Sequence, residues 1–131
     1  QSMWFLMNLF LNSADRYCLD CQAYEVKVRI THYWPLDGGI NCWDYNENSQ
    51  WCESAMFSGL RWENFINIAA ACPFDWPIGS WVEIPGVGAY NCLDRGTMVC
   101  FEGVCEVDIL SPDLGVHDGQ IYDANIYITW K

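Results

Sequence analysis

Residues 24–33 read Tyr-Glu-Val-Lys-Val-Arg-Ile-Thr-His-Tyr. Val26, Val28 and Ile30 alternate with Lys27, Arg29 and Thr31. Successive side chains of a strand point to opposite faces, so this period of two predicts a strand with one face buried. Short apolar runs predict five more strands, over residues 68–72, 80–85, 88–94, 104–110 and 121–130. Pro85, Gly86 and Gly88 mark a turn between two of them. Many short strands joined by turns fold as a sandwich or a barrel. Residues 35–54 are rich in Gly, Asn, Asp and Ser and read as a long loop. Ser58 is placed to cap a short helix over residues 60–67, with Leu60, Phe65 and Ile66 apolar. The sequence carries no internal repeat and no linker. Two parts are expected: an apolar arm with Cys18-x-x-Cys21 over residues 1–23, and a β domain over 24–131.

Charge narrows the range of partners. The 131 residues carry a net charge of −11, with only six Lys and Arg. Phosphate backbones are held by clusters of basic side chains. Nucleic acid and anionic membrane surfaces are therefore excluded as partners. A hydrophobic content of 52% is too high for a disordered chain. Eight tryptophans are many for a core of this size, and they suit flat contacts with sugars or protein neighbours. Packing of the long loop is the favoured role for Trp34, Trp43, Trp51, Trp62, Trp76 and Trp81. The eight cysteines, an even count in a small acidic chain, point to disulfides and an oxidising compartment. The expected pairs are Cys42–Cys52, Cys72–Cys92 and Cys100–Cys105, which leaves Cys18 with Cys21. Cross-pairing and bonds between chains stay open. So does a zinc half-site at Cys18 and Cys21, although no second Cys-x-x-Cys exists to complete it. No metal site and no cofactor are expected.

Four segments carry a resemblance. They are Ala69-Ala70-Ala71-Cys72-Pro73, Pro77-Ile78-Gly79-Ser80-Trp81-Val82-Glu83-Ile84-Pro85-Gly86, Leu93-Asp94-Arg95-Gly96 and Val107-Asp108-Ile109-Leu110. Together they resemble the three-aspartate (3D) domain, a double-psi β-barrel of bacterial cell-wall proteins. Lytic transglycosylase A and the expansins have related barrels. The likeness spans roughly residues 26–130. It implies a mainly β fold, a six-stranded double-psi β-barrel with one short helix and an N-terminal apolar extension. It also implies that Asp108 matches the acid/base of the related transglycosylases and Asp94 its supporting carboxylate. The first family aspartate falls on Cys72. A Cys72–Cys92 disulfide would put a covalent tether where the family has a polar one.

Asp108 sits between Val107 and Ile109, and aspartate is disfavoured in strands, so its presence there asks for a reason. A raised-pKa carboxyl can protonate a leaving oxygen and then serve as base. The competing reading is a solvent-facing or turn-capping carboxylate. For Asp94, the run Asp-Arg-Gly is a turn signal by itself. Of the two histidines, His32 reads as a barrel-rim residue and His117 as part of a loop turn.

Function turns on residues 3–11, Met-Trp-Phe-Leu-Met-Asn-Leu-Phe-Leu, of which eight are apolar. Each large apolar side chain buried is worth roughly 1.5–3 kcal/mol, so an arm of this kind is expected to be buried against something. It is too short to span a bilayer, which takes about 20 apolar residues. An uncleaved signal core, a strand of its own domain, or a strand added to a neighbouring copy each fit. The expected function is a secreted, disulfide-stabilised structural subunit. It would form an extracellular filament by docking Trp4, Phe5, Leu6, Met7, Leu9, Phe10 and Leu11 into the next copy, at a bacterial cell surface. The alternative is a cell-wall glycan-cleaving lytic transglycosylase or a glycan-binding module using Asp108, with glycan as partner.

Overall fold

The computed structural model describes residues 17–18 and 20–128. The arm residues 3–11 lie outside the described residues. Nine strands form: β1 (Gln22–Tyr33), β2 (Tyr45–Asn46), β3 (Trp51–Cys52), β4 (Ala69–Ala71), β5 (Trp81–Ile84), β6 (Gly88–Asp94), β7 (Cys100–Phe101), β8 (Val104–Leu110) and β9 (Ile121–Ile128). Six of them close a mixed barrel in the order β1-β9-β5-β6-β4-β8, and β8 returns to β1. The pairs β1–β8 and β4–β6 are parallel, and the other neighbours run antiparallel. These six are the strands that the apolar runs and turn signals predict, and the closed six-stranded barrel is the fold expected from them.

Alternation along the strands fills the interior. Val28 and Ile30 of β1 point inward and are fully buried, as are Val107 and Ile109 of β8. Val82, Ile84, Ile126 and Trp76 belong to the same core. The β5–β6 hairpin turns through Gly86, whose φ of 84° is a conformation that favours glycine. Tyr17 pins the chain where it enters the barrel. Its ring stacks on Tyr127 at 4.5 Å between centroids, and its hydroxyl donates to Glu83 Oε2 at 2.7 Å.

A second core lies outside the barrel, where the chain between β1 and β4 folds back over Ala69, Ala71, Leu93 and Leu110. Trp62 is its centre. The indole is 2% exposed, donates from Nε1 to the Cys52 carbonyl at 3.1 Å, and meets the edge of Trp34 at 5.4 Å. Residues 35–54 are more structured than a loop reading suggests. They contain two 3-10 turns (Pro35–Asp37 and Gly39–Asn41) and the small β2–β3 hairpin. The expected helix over residues 60–67 is one 3-10 turn, Trp62–Asn64, with Arg61 at its N-cap. Ser58 does not cap it, because its hydroxyl accepts from the Leu60 N–H instead. Packing of Trp62, Phe65 and Ile66 into this second core outweighs helix formation here.

All four expected disulfides are present: Cys18–Cys21, Cys42–Cys52, Cys72–Cys92 and Cys100–Cys105. Cys72 and Cys92 are both fully buried in the barrel core. They close a loop of 20 residues, against 5 for Cys100–Cys105. Loop-closure entropy grows with length, so Cys72→Ala/Cys92→Ala is expected to cost about 3 kcal/mol and Cys100→Ala/Cys105→Ala about 2. Chemical denaturation of the two double variants, compared at fixed pH, checks the order.

Candidate functional site

Three neighbouring strands build the floor of one cleft. Ala71 of β4 lies between them, paired with Asp108 of β8 on one side and Asp94 of β6 on the other. Asp108 alternates with inward Val107 and Ile109, so it points out of the barrel. Strict alternation would turn Asp94 inward, because Cys92 is in the core and Leu93 packs outside. The β4–β6 register breaks between Ala70 and Ala71, and this irregularity pairs Asp94 with the outward Ala71. Such bulges re-aim side chains, and here the result is a carboxyl on the outer face. The methyl group of Ala71 leaves the space above it open between the two acids.

The loop supplies the wall. Pro35, Cys42, Trp43, Cys52, Met56 and Trp62 face Asp94, Asp108 and Tyr33 across a cleft of about 250 Å³. The Cys42–Cys52 disulfide is part of that wall, so the loop is covalently closed where it meets the cleft.

Each acid has distinct partners. Asp94 Oδ2 accepts from the Tyr33 hydroxyl at 2.8 Å. Asp94 Oδ1 accepts from the backbone N–H groups of Phe57 and Arg95, both at 2.9 Å. Asp108 Oδ1 accepts from the Thr31 hydroxyl at 2.9 Å. Thr31 stands opposite Asp108 in the parallel β1–β8 register. Burial pushes the Asp108 carboxyl above its ordinary value, Asp118 and Asp94 add to the rise, and Thr31 and His32 oppose it. Burial, and then the Asp94 charge, push the Tyr33 phenol well above its usual range, so it remains a donor. One half-buried acid with a raised pKa beside a second, multiply tethered acid is an arrangement suited to proton transfer.

Arg95 braces the edge of the cleft from behind. Its Nη1 donates to the carbonyls of Cys72 and Pro73 at 3.3 and 2.8 Å, and its Nη2 donates to the carbonyl of Trp76. Phe74 and Phe57 flank the guanidinium at 5.2 and 6.0 Å. Burial lowers its pKa.

The structure brings Asp94 and Asp108 to one cleft. Cys72 is buried in its disulfide to Cys92. His32 is at the barrel rim, with Nδ1 3.2 Å from Asp118 Oδ1, and His117 Nδ1 lies 2.5 Å from the Tyr122 hydroxyl. Among the tryptophans, Trp62 and Trp76 are packed as expected, while Trp43 is 97% exposed. The sequence reading passes over Tyr33, Thr31 and Arg95. The alternation of residues 24–33 places Thr31 on the outward face, but nothing local announces that the face is covered.

The raised Asp108 carboxyl has a consequence for stability. Unfolded, it ionises near 3.8; folded, it keeps its proton to higher pH. Folding takes up a proton between those two values. The contribution is therefore complete below the unfolded value and is lost as pH rises through the folded one. Asp108→Asn removes the charge and keeps the shape. Its Tm relative to the parent chain is expected to rise as pH increases above the unfolded value and to level off once Asp108 is ionised in the folded chain. Thermal melts across that range check it, and a difference that stays flat or falls would contradict the assignment.

Comparison with known proteins finds no matching family model, no matching curated protein and no matching solved structure.

Proposed function

We propose that this chain cleaves a glycan by acid/base catalysis in the outer cleft of its barrel, with Asp108 as the acid/base and Asp94 as the supporting carboxylate. The observation that carries the reading is the convergence of both acids on one cleft, the buried one shifted toward its protonated form. Asp108 gives its proton to the glycosidic oxygen as the C–O bond breaks. The resulting carboxylate then takes a proton from the hydroxyl that attacks the sugar carbon. When that hydroxyl belongs to the sugar itself the product is an anhydro-sugar, as the resemblance to the 3D domain and its double-psi barrel relatives suggests. Asp94, held by Tyr33 and two backbone donors, lies close enough to Asp108 to raise its pKa and so favours the acid form. The four disulfides support a secreted protein, since such bonds persist in oxidising compartments. Among the described residues no helix is long and apolar enough to cross a membrane.

The assembly reading rests on residues 3–11, outside the described residues, and is the second proposal. Closure of the barrel by the β1–β8 pairing consumes the sheet edges that an incoming strand would need over residues 27–33 and 104–110. Assembly that is unchanged in a chain lacking residues 1–14 would end it.

Digestion of peptidoglycan and of chitin-type polymers, followed by mass spectrometry of the products, tests the enzymatic reading. Asp108→Asn is expected to lower the rate by about 10²–10⁴-fold and Asp94→Asn by less. Activity untouched by Asp108→Asn would remove it.

A further inference from the structure

The lip of the cleft shows what kind of polymer fits it. Trp43 and Ile40 both line the cleft, yet they are 97% and 105% exposed. Trp34, Trp51, Trp62 and Trp81 each have an aromatic partner in the fold, and Trp76 is buried in the barrel core. Trp43 follows Cys42, which is buried and tied to Cys52. The exposed ring is thus carried on covalently closed backbone at the mouth of a cleft with two acids at its floor. On the far side of Asp94 stand Phe57 and Phe74, exposed by 64% and 67% and packed edge to face.

Charge limits the occupant. Among the described residues, Arg95 is the one cationic side chain lining the cleft. Its Nη atoms are turned to three backbone carbonyls and its Nε is buried. No cation is presented to a polyanion, and the chain carries −11 overall. Like charge raises the cost of bringing an anionic polymer to this mouth. An uncharged sugar ring, with an apolar C–H face and polar rim, suits a flat indole beside carboxylate acceptors.

We infer that Trp43 is a stacking subsite for an uncharged glycan, which lies from the Trp43–Ile40 lip across Asp94 and Asp108. This inference rests on the acid/base reading of the same cleft and adds the substrate class and the residue that selects it.

The test is calorimetric binding to the full chain carrying Asp108→Asn, which is expected to slow turnover. The probes are chitohexaose and cellohexaose as neutral oligomers and hexagalacturonate as the charged one. At least one neutral hexamer is expected to bind more tightly than hexagalacturonate. Adding Trp43→Ala is expected to weaken that binding about tenfold. Adding Phe101→Ala, at an exposed aromatic on the β7–β8 hairpin, should leave it unchanged, which separates stacking at the cleft from general stickiness. Binding that survives Trp43→Ala, or that prefers hexagalacturonate, overturns the inference and leaves the acid/base reading standing. Absence of binding by all three probes overturns the inference, and the acid/base reading falls with it only if the parent chain also cleaves no glycan. Melting curves of each variant confirm that the comparison is made on folded protein.

Discussion

The parallel pairing of β1 with β8, from Lys27 with Val104 to Tyr33 with Leu110, is the constraint on which the rest depends. Without it the remaining ladders form an open sheet. With it the sheet closes, every core-facing residue of six short strands shares one interior, and the outer face becomes a continuous surface. The same pairing sets Thr31 beside Asp108 and ends β1 with Tyr33 under the loop. Fold and site therefore draw on one set of backbone hydrogen bonds.

The loop over that surface is held by a different means. It has little regular secondary structure, and its backbone polar groups are met by turns and by side chains. Arg61 reaches the carbonyls of Cys52 and Glu53, and Trp62 donates to Cys52 as well. A small satellite core around Trp62 and the Cys42–Cys52 bond fixes the wall at the one place where it faces the acids. Burial on both sides of the cleft gives Asp108 its low-dielectric setting, and this is the leading cause of its raised pKa.

The six barrel strands were legible because period-two alternation and turn residues are local signals. Val26, Val28 and Ile30 announce one face of β1 directly. Asp108 was legible for a related reason, since an acid between Val107 and Ile109 breaks a local preference. The remainder of the site depends on relations between distant segments. Nothing near Tyr33 signals that its hydroxyl meets Asp94, and the register break that turns Asp94 outward is a property of the β4–β6 pair rather than of either strand. The helix expected over 60–67 failed for the same reason. Trp62, Phe65 and Ile66 are held by packing into the satellite core, while Leu60 is left exposed.

The two halves of the cleft are anchored in unlike ways, and this bears on how such a protein changes over generations. Asp94 and Asp108 are fixed by strand register around Ala71, so altering their spacing means rebuilding the barrel. The wall hangs from a disulfide and one tryptophan, and residues between those anchors can be exchanged without touching the ladder. The acid pair and the wall that faces it are thus inherited separately. A lineage can edit the loop while the floor with its two carboxyls passes down unaltered.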